Sequence, residues 1–295
     1  MAQYLNTSQR ITVIKTLVFF SLVRWYNLVL IAVAQYLTAI KILRPSKISP
    51  LEVLATPQLH WIVFSTALII AGGYIINAFY DYEKDLANHG EEVILNKIIS
   101  KRFAINAYMF CNSVALAIGL FLNFKLLLFY CLLIFLLWFY SHKLKKLPLL
   151  GNFCASFLAV SAFLSICIFY WGINRLIVYY AVYIGLIALI REIIKDIEGI
   201  KGDILFGYKT FPVKYGIKKT KMLVAPLMLV CIPVGYYLFM YFTPRYASIY
   251  FSVSFTGIFL TLIYFIFTRD EKNFRKVDNY YKILIVLGVL NIALV

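Results

Sequence analysis

Charged residues are scarce in this chain. Only 14% of its 295 residues are Asp, Glu, Lys or Arg, whereas 63% are hydrophobic and the mean hydropathy is +0.84. Soluble globular domains carry about 25% charged residues. The composition therefore excludes an ordinary soluble domain and predicts an integral membrane protein.

Cysteine and histidine are also few, with five and three residues respectively. No CxxC pair occurs, all five cysteines fall inside apolar runs, and the histidines do not show metal-ligand spacing. A disulfide framework or a zinc site is therefore not predicted, and we interpret the cysteines as small apolar packing residues.

Acidic residues are fewer than basic residues. The chain has 13 Asp and Glu and 29 Lys and Arg, which gives a net charge of +16. The basic residues are spread over the connections between apolar runs rather than gathered on a polar module. We therefore attribute the excess to membrane orientation and to anionic lipid headgroups, and we predict no nucleic-acid partner.

Apolar runs of membrane-spanning length are abundant. A helix needs roughly 20 such residues to cross a hydrocarbon core of about 30 Å. We predict nine spans, at approximately 16–42, 60–82, 103–122, 125–141, 149–170, 175–195, 221–242, 248–268 and 281–295. The expected fold is all-α, a polytopic membrane bundle in a single domain, 1–295. We expect no removable signal peptide, because the polar first ten residues precede a long span without a small-residue cleavage site.

The positive charges predict the orientation of this bundle. The second, fourth, sixth and eighth connections carry three to five Lys or Arg each, and the other connections carry one or two. Since cytoplasmic loops carry the excess of positive charge, the N-terminus and the even connections are expected in the cytoplasm. The expected location is a bacterial or archaeal-type cell membrane.

An acidic stretch ends the second predicted span. Asn77, Asp81 and Asp85 are four residues apart and therefore lie on one face of a helix. Mg²⁺ prefers oxygen ligands and is usually held by one or two carboxylates together with substrate phosphates. This face predicts a magnesium site, and the alternative is a solvated helix end.

A second acidic stretch ends the sixth predicted span. Its acids alternate with bases: Arg191, Glu192, Lys195, Asp196, Glu198 and Asp203. Gly199 and Gly202 favour a break in this helix.

Other polar residues accompany these acids. Arg24 and Asn27 interrupt the first span, and an intramembrane ionisable residue is a functional-site hypothesis by default, although snorkelling is the alternative. Lys145 belongs to a connection on the predicted cytoplasmic face, where orientation alone also explains a lysine.

Two acidic helix ends on one membrane face predict a site for a diphosphate held by Mg²⁺. The metal ions would hold the leaving group as a C–O bond breaks, and Lys and Arg would add positive potential. If the diphosphate belongs to an allylic lipid, the carbocation left behind would be sheltered in the apolar bundle.

The motifs of this chain resemble those of the UbiA superfamily of intramembrane prenyltransferases. The resemblance is carried by Asn77-x-x-x-Asp81-x-x-x-Asp85, by Arg-Trp-Tyr-Asn in the first span, by Tyr140-Ser-x-x-Leu-Lys145 with Gly151-Asn152, and by Arg191-Glu-Ile-Ile-Lys-Asp-Ile-Glu-Gly-Ile-Lys-Gly-Asp203 with Gly207, Thr210 and Pro212. It implies a helical bundle around a central cavity, Mg²⁺-dependent use of a polyprenyl diphosphate, and a lipophilic or amphiphilic acceptor.

The resemblance also implies residue roles. The predicted metal ligands are Asn77, Asp81, Asp85, Asp196, Glu198 and Asp203, of which all but Glu198 are also predicted as catalytic. The predicted substrate-binding residues are Arg24, Asn27, Lys97, Tyr140, Lys145, Arg191 and Lys195. The sequence departs from the family at Gly199, where an acid is usual, and at Ile98 and Ile99, where many members have a proline.

The second acidic stretch looks most like members that prenylate geranylgeranylglyceryl phosphate, an ether-lipid step. The alternative acceptor is an aromatic compound, 4-hydroxybenzoate or dihydroxynaphthoate, in quinone biosynthesis. A transporter would place its ionisable residues near the bilayer midplane, whereas these acids cluster at helix ends. The Asp-Gly-x-x-Ala-Arg signature of CDP-alcohol phosphotransferases is absent, and a catalytically degenerate family member remains an alternative.

Overall fold

The computed structural model describes residues 7–45, 47–89, 99–170, 172, 175–241, 245–268 and 271–294, without the side chains of 7–12, 83–89, 245, 271 and 272. Almost all of these residues are helical, which confirms the all-α prediction. The helices are α1 Thr7–Leu22, α2 Trp25–Leu37, α3 Pro50–Leu54, α4 Pro57–His89, α5 Lys101–Leu122, α6 Phe124–His142, α7 Leu150–Tyr170, α8 Arg175–Glu198, α9 Ile200–Leu205, α10 Phe211–Tyr241, α11 Arg245–Phe267 and α12 Glu271–Asn291.

Within the described residues, nine helical segments are long and apolar enough to cross a membrane, as the sequence predicts. The first of them, Trp25–Leu43, consists of α2 and a π-helical turn at Thr38–Leu43. The prediction of one span over 16–42 is wrong for residues 16–24. The helix ends at Leu22, and Arg24 adopts a left-handed conformation with φ 50°.

The ninth span also begins earlier than predicted, at Asn273 instead of residue 281. The first turns of α12 carry several charged residues and therefore do not form an apolar run. One of these, Asp278, is buried in the bundle, and Phe274 and Val277 beside it belong to the hydrophobic core. The seventh span likewise begins at Phe211, ten residues before the predicted start, and has a kink at Gly216.

The bundle has two main hydrophobic clusters. One joins α8 to α10, α11 and α12, with an isoleucine-rich face of α8 at its centre. The other joins α4 and α6 to the end of the first span. The two helices with acidic ends, α4 and α8, therefore belong to different clusters, and α4 packs against α9, which follows α8.

A chain of buried hydroxyl and amide groups links four helices inside the membrane. Gln35 donates to Ser165 at 2.7 Å, Ser165 lies 3.1 Å from the hydroxyl of Thr66, and Tyr130 bonds Ser65 at 2.7 Å and Thr66 at 3.4 Å. Such bonds stabilise helix packing, because lipid offers no alternative partner.

Candidate active site

The acidic end of α4 contacts a lysine from the turn between α6 and α7. The ammonium nitrogen of Lys145 lies 2.6 Å from Asp81 Oδ1 and 3.2 Å from Asn77 Oδ1, and the lysine side chain is 8% exposed. Asn77 and Asp81 therefore share one face of α4, as their spacing predicts, and a buried cation lies against that face.

Close backbone packing positions this lysine. Lys145 belongs to a 3₁₀ turn, Leu144–Lys146, that packs against the first turn of α7. A Cβ atom added to Gly151 would lie 2.8 Å from both the Leu144 carbonyl oxygen and the Lys145 Cα. Only glycine allows α7 to approach the turn this closely.

The second acidic stretch is split as the glycines predict, because α8 ends at Glu198 and α9 begins at Ile200. Asp196, near the end of α8, accepts a hydrogen bond of 2.8 Å from Asn152 Nδ2 on α7. Asp203 on α9 is buried at 1% exposure and accepts a 2.9 Å bond from the Thr210 hydroxyl.

Two tyrosines connect the acidic end of α4 with the second acidic stretch. The Tyr208 hydroxyl donates to Asp81 Oδ1 at 3.3 Å, while its backbone N–H donates to the Asp203 carbonyl. Tyr140 lies within electrostatic interaction distance of Asp81, Asp196 and Glu192. The two acidic stretches, far apart in sequence, therefore adjoin at one end of the bundle.

Arg191 connects α8 with α12. Arg191 forms an ion pair with Asp278, with Nε and Oδ1 3.1 Å apart, and also bonds Glu192 at 3.1 Å. Glu192 lies 3.6 Å from the half-exposed Lys195. Glu198 interacts electrostatically with Asp278 and lies on this side of α8.

The first span contributes an aromatic and amide contact. The guanidinium carbon of Arg24 lies 5.2 Å from the ring centre of Tyr74, and Asn27 Nδ2 donates to the Tyr74 hydroxyl at 2.9 Å. Arg24 also interacts electrostatically with Glu192, so the polar start of α2 lies near the acidic end of α8.

Two predicted site residues fall where side chains are not described. The backbone of Asp85 belongs to α4, but its side chain lies outside the described atoms. Lys97 lies outside the described residues altogether, as does Ile98. Their predicted roles stay predictions.

The donor atoms of the site suit a hard cation. Among the described residues, no three acidic, histidine or cysteine side chains lie close enough to hold a metal ion by themselves. The oxygens of Asn77, Asp81, Asp196 and Asp203 are nevertheless of the type that Mg²⁺ binds, and Mg²⁺ usually completes its shell with water and phosphate oxygens. Asn152 Oδ1 is buried without a hydrogen-bond partner in the described part of the chain. These residues fit a divalent ion shared with a diphosphate.

Sequence reasoning gave no role to Asn152, Tyr208 or Asp278. Asn152 follows Gly151 in a motif of the resemblance, which was a usable signal. Tyr208 stands among turn residues with no pattern that points to Asp81. Asp278 lies in a stretch of mixed charges, and no pattern there indicates its pairing with Arg191.

The sequence profile of the UbiA prenyltransferase family matches residues 39–286, most of the chain. The chain belongs to this family. Its membership confirms the resemblance seen in the motifs, and the matched region contains both acidic stretches and the Lys145 turn.

Two relatives are similar in sequence to this UbiA family member over half of its length or more. A digeranylgeranylglyceryl phosphate synthase from Sulfurisphaera tokodaii is 30% identical over 92% of this chain and 95% of its own length. A synthase of the same name from Thermococcus gammatolerans is 34% identical over 52% of this chain, and the match spans 56% of that relative.

Solved structures show the same fold. A structure concerned with digeranylgeranylglyceryl phosphate synthase in membranes has a TM-score of 0.72 at 23% identity, covering 95% of this chain and 97% of its own. A UbiA homolog from Archaeoglobus fulgidus bound to DMAPP and Mg²⁺ has a TM-score of 0.66 at 18% identity, covering 93% and 97%. At these identities the likeness concerns the fold.

Proposed function

We propose that this UbiA family member transfers a polyprenyl group from a prenyl diphosphate to geranylgeranylglyceryl phosphate, with Mg²⁺, in one domain spanning 1–295. The observation that carries the proposal is the meeting of Asp81 with Lys145 and Tyr208. These contacts bring the end of α4, the Lys145 turn and the segment after Asp203 to one place.

The acids of this place are our candidates for holding Mg²⁺. Asn77, Asp81 and Asp85 would bind on the α4 side, and Asp196 and Asp203 on the side of α8 and α9. We prefer Asp196 to Glu198, because Glu198 lies toward Asp278 and Arg275 of α12. Bound Mg²⁺ supplies charge neutralisation for the departing diphosphate.

The chain's own cations would hold the diphosphate from two directions. Lys145 lies at the α4 face, and Arg24, Arg191 and Lys195 lie around Glu192. Preorganised positive charge at a developing anion lowers the barrier for its departure. Asn27 and Tyr140 would line the site between these groups.

The reaction breaks the allylic C–O bond, and the diphosphate leaves with the electron pair. The apolar bundle keeps water from the allylic cation. The hydroxyl oxygen of the acceptor then forms the new C–O bond and releases its proton. The relatives named digeranylgeranylglyceryl phosphate synthase support a glyceryl phosphate acceptor.

We further propose that the site faces the cytoplasm of a bacterial or archaeal-type cell membrane. The Lys145 turn and the segment from Lys201 to Lys219 are both rich in lysine and lie at the same end of the bundle as the acids. Cytoplasmic connections carry such excesses of positive charge.

The test is a transfer assay with the purified full chain in detergent. It supplies Mg²⁺, geranylgeranyl diphosphate and a panel of acceptors that contains geranylgeranylglyceryl phosphate, its analogue without phosphate, and aromatic acids. We expect transfer to the glyceryl phosphate alone, and loss of transfer in Asp81→Ala. Glu52→Ala is the matched control, because Glu52 is an exposed acid in α3, outside the site.

Transfer to an aromatic acceptor instead would overturn the acceptor assignment, but the assignment as a prenyltransferase would stand. Full activity in Asp81→Ala would refute the site. Solute uptake into proteoliposomes without any Mg²⁺-dependent release of diphosphate would favour a transporter and refute the function.

A further inference from the structure

The side-chain amide of Asn152 has one satisfied end and one unsatisfied end. Its Nδ2 donates to Asp196 Oδ2 at 2.8 Å, whereas its Oδ1 is buried and has no hydrogen-bond partner in the part of the chain that the structure describes. The residue as a whole is 5% exposed. A buried carbonyl oxygen without a partner is unfavourable unless something else supplies positive charge to it.

Rotating the amide does not remove this problem. An exchange of Nδ2 and Oδ1 would place the amide oxygen against the Asp196 carboxylate, which accepts hydrogen bonds and donates none when ionised. It would also bury an unpartnered NH₂ group. The contact with Asp196 therefore fixes which end of Asn152 stays without a partner.

The surroundings of this oxygen are acidic. Asp196 interacts electrostatically with Asp203 and with Glu192. Asp203 is itself almost fully buried. Carboxylates gathered away from water require cations, because their mutual repulsion is poorly screened there.

The acidic cluster also lacks one expected member. Gly199, where the resemblance implies an acid, offers no side-chain oxygen and caps α9 without a side-chain hydrogen bond. Glu198 lies toward α12, where Asp278 and Arg275 are its leading electrostatic partners, followed by Arg191 and Lys195 on its own helix. Asn152, by contrast, is bonded directly to Asp196 from the opposite helix.

We propose that Asn152 Oδ1 is a ligand of the divalent ion bound by Asp196 and Asp203, and that it supplies the oxygen that Gly199 does not. The inference rests on the proposed function, because it takes the ion to be the one that holds the diphosphate. Asn152 then has two tasks: its NH₂ group orients Asp196, and its oxygen binds the metal ion.

A change of metal preference distinguishes a ligand from a residue that only orients Asp196. Oxygen donors suit Mg²⁺, whereas thiolate donors select softer ions such as Cd²⁺. Asn152→Cys should therefore weaken Mg²⁺ binding and preserve or strengthen Cd²⁺ binding. A residue that only orients Asp196 would weaken both ions alike when replaced.

The experiment titrates Mg²⁺ or Cd²⁺ alone into the full chain in detergent and measures heat of binding. For Asn152→Cys we expect the ratio of Cd²⁺ to Mg²⁺ affinity to rise at least about tenfold over the parent protein. The five native cysteines are present in both proteins and cancel in this comparison. Asn112→Cys is the matched control, since Asn112 is similarly buried on α5, and its ratio should not change.

Asn152→Asp provides a second variant of almost unchanged shape. It keeps an oxygen at this position and should bind Mg²⁺ at least as tightly as the parent protein. Equal loss of both ions in Asn152→Cys, no loss of either, weak Mg²⁺ binding in Asn152→Asp, or a parent protein that binds no Mg²⁺ would each overturn the proposal. None of these measurements depends on prenyl transfer, so failure of the proposed function would appear separately, as Mg²⁺ binding without transfer.

Discussion

Lys145 Nζ lies 2.6 Å from Asp81 Oδ1, so a turn between two helices delivers a buried cation to the acidic face of a third. The side chains of Lys145 and Asp81 are 8% and 15% exposed. Removing one partner of such a pair leaves the other charge uncompensated. Lys145 therefore compensates the charge of Asp81, and substitutions that remove or displace this lysine should impair the site.

Replacement of Lys145 by methionine should lower the rate of prenyl transfer by about 10²- to 10³-fold, the usual effect of losing one preorganised electrostatic group. Methionine keeps the apolar stem and removes only the ammonium group. The measurement is the initial rate at saturating Mg²⁺ and prenyl diphosphate. Lys143→Met is the control, because Lys143 is exposed and adjoins the same turn. Equal losses in both variants would show that the turn needs general positive charge and not Lys145.

Gly151→Ala should impair the same lysine indirectly. The added Cβ would lie 2.8 Å from the backbone of the Lys145 turn, and backbone atoms cannot move aside as a flexible side chain can. We expect transfer to fall about tenfold or more, since small displacements of a charged group in a site have large effects on rate. Gly185→Ala, inside α8, is the control: its Cβ would meet Val160 at an ordinary 3.4 Å. Unchanged kinetics in Gly151→Ala would contradict this account of how the turn is positioned.

The fold was predictable where one physical rule dominates. Runs of apolar residues located all nine spans, because crossing the hydrocarbon core demands length and hydrophobicity. The same rule failed at Arg24, because the sequence does not indicate that this arginine adopts a left-handed backbone conformation. That conformation is uncommon outside glycine, asparagine and aspartate. The rule also failed for the first turns of α12, where the buried Asp278 pairs with Arg191 while Arg275 and Lys276 are exposed.

The site was predictable to a similar extent. Helical spacing placed Asn77 and Asp81 on one face, and two glycines signalled the break after Glu198. Which loop residue reaches which acid is a matter of tertiary packing. Tyr208 contacts Asp81 from a segment 127 residues away, and neither residue's neighbours in sequence indicate the contact.

Tyr208→Phe should have a small effect and Tyr208→Ala a larger one. Phenylalanine loses the 3.3 Å bond to Asp81 but keeps the ring that lies 5.4 Å from the Lys146 ammonium. We expect a loss of transfer below about tenfold for the phenylalanine variant, on the order of 1 kcal/mol, because the bond is long and Asp81 keeps its ion pair with Lys145. The alanine variant also removes the packing between the two segments. Rates measured across Mg²⁺ concentrations would test this order, and equal losses would assign the effect to the hydroxyl alone.

Breaking the pair between Arg191 and Asp278 separates a structural role of Arg191 from its predicted role in substrate binding. We expect Asp278→Ala to destabilise the protein by about 2 kcal/mol, below the value for a fully buried pair because Arg191 is 24% exposed. The double variant Arg191→Ala, Asp278→Ala should lose less stability than the two single variants together. Thermal unfolding in detergent measures this coupling. If Arg191 also binds substrate, the double variant should regain stability relative to Asp278→Ala but should not regain prenyl-transfer activity. A gain in both would restrict Arg191 to the ion pair.

Gly199→Asp, after the acidic end of α8, should lower the Mg²⁺ concentration that the enzyme needs for activity. Gly199 has φ −87°, which any residue adopts, and an added Cβ would meet only the Lys195 carbonyl oxygen at 3.5 Å, an ordinary contact. The variant would restore the acid that the family resemblance implies, and a further carboxylate raises the affinity of a divalent site. We expect half-maximal activity at a Mg²⁺ concentration several-fold lower, on the order of three- to tenfold. Gly199→Ala is the matched control, since alanine adds the same Cβ but supplies neither an oxygen nor a charge. If both variants shift the Mg²⁺ dependence equally, the backbone change is the cause, and the position is not part of the metal site.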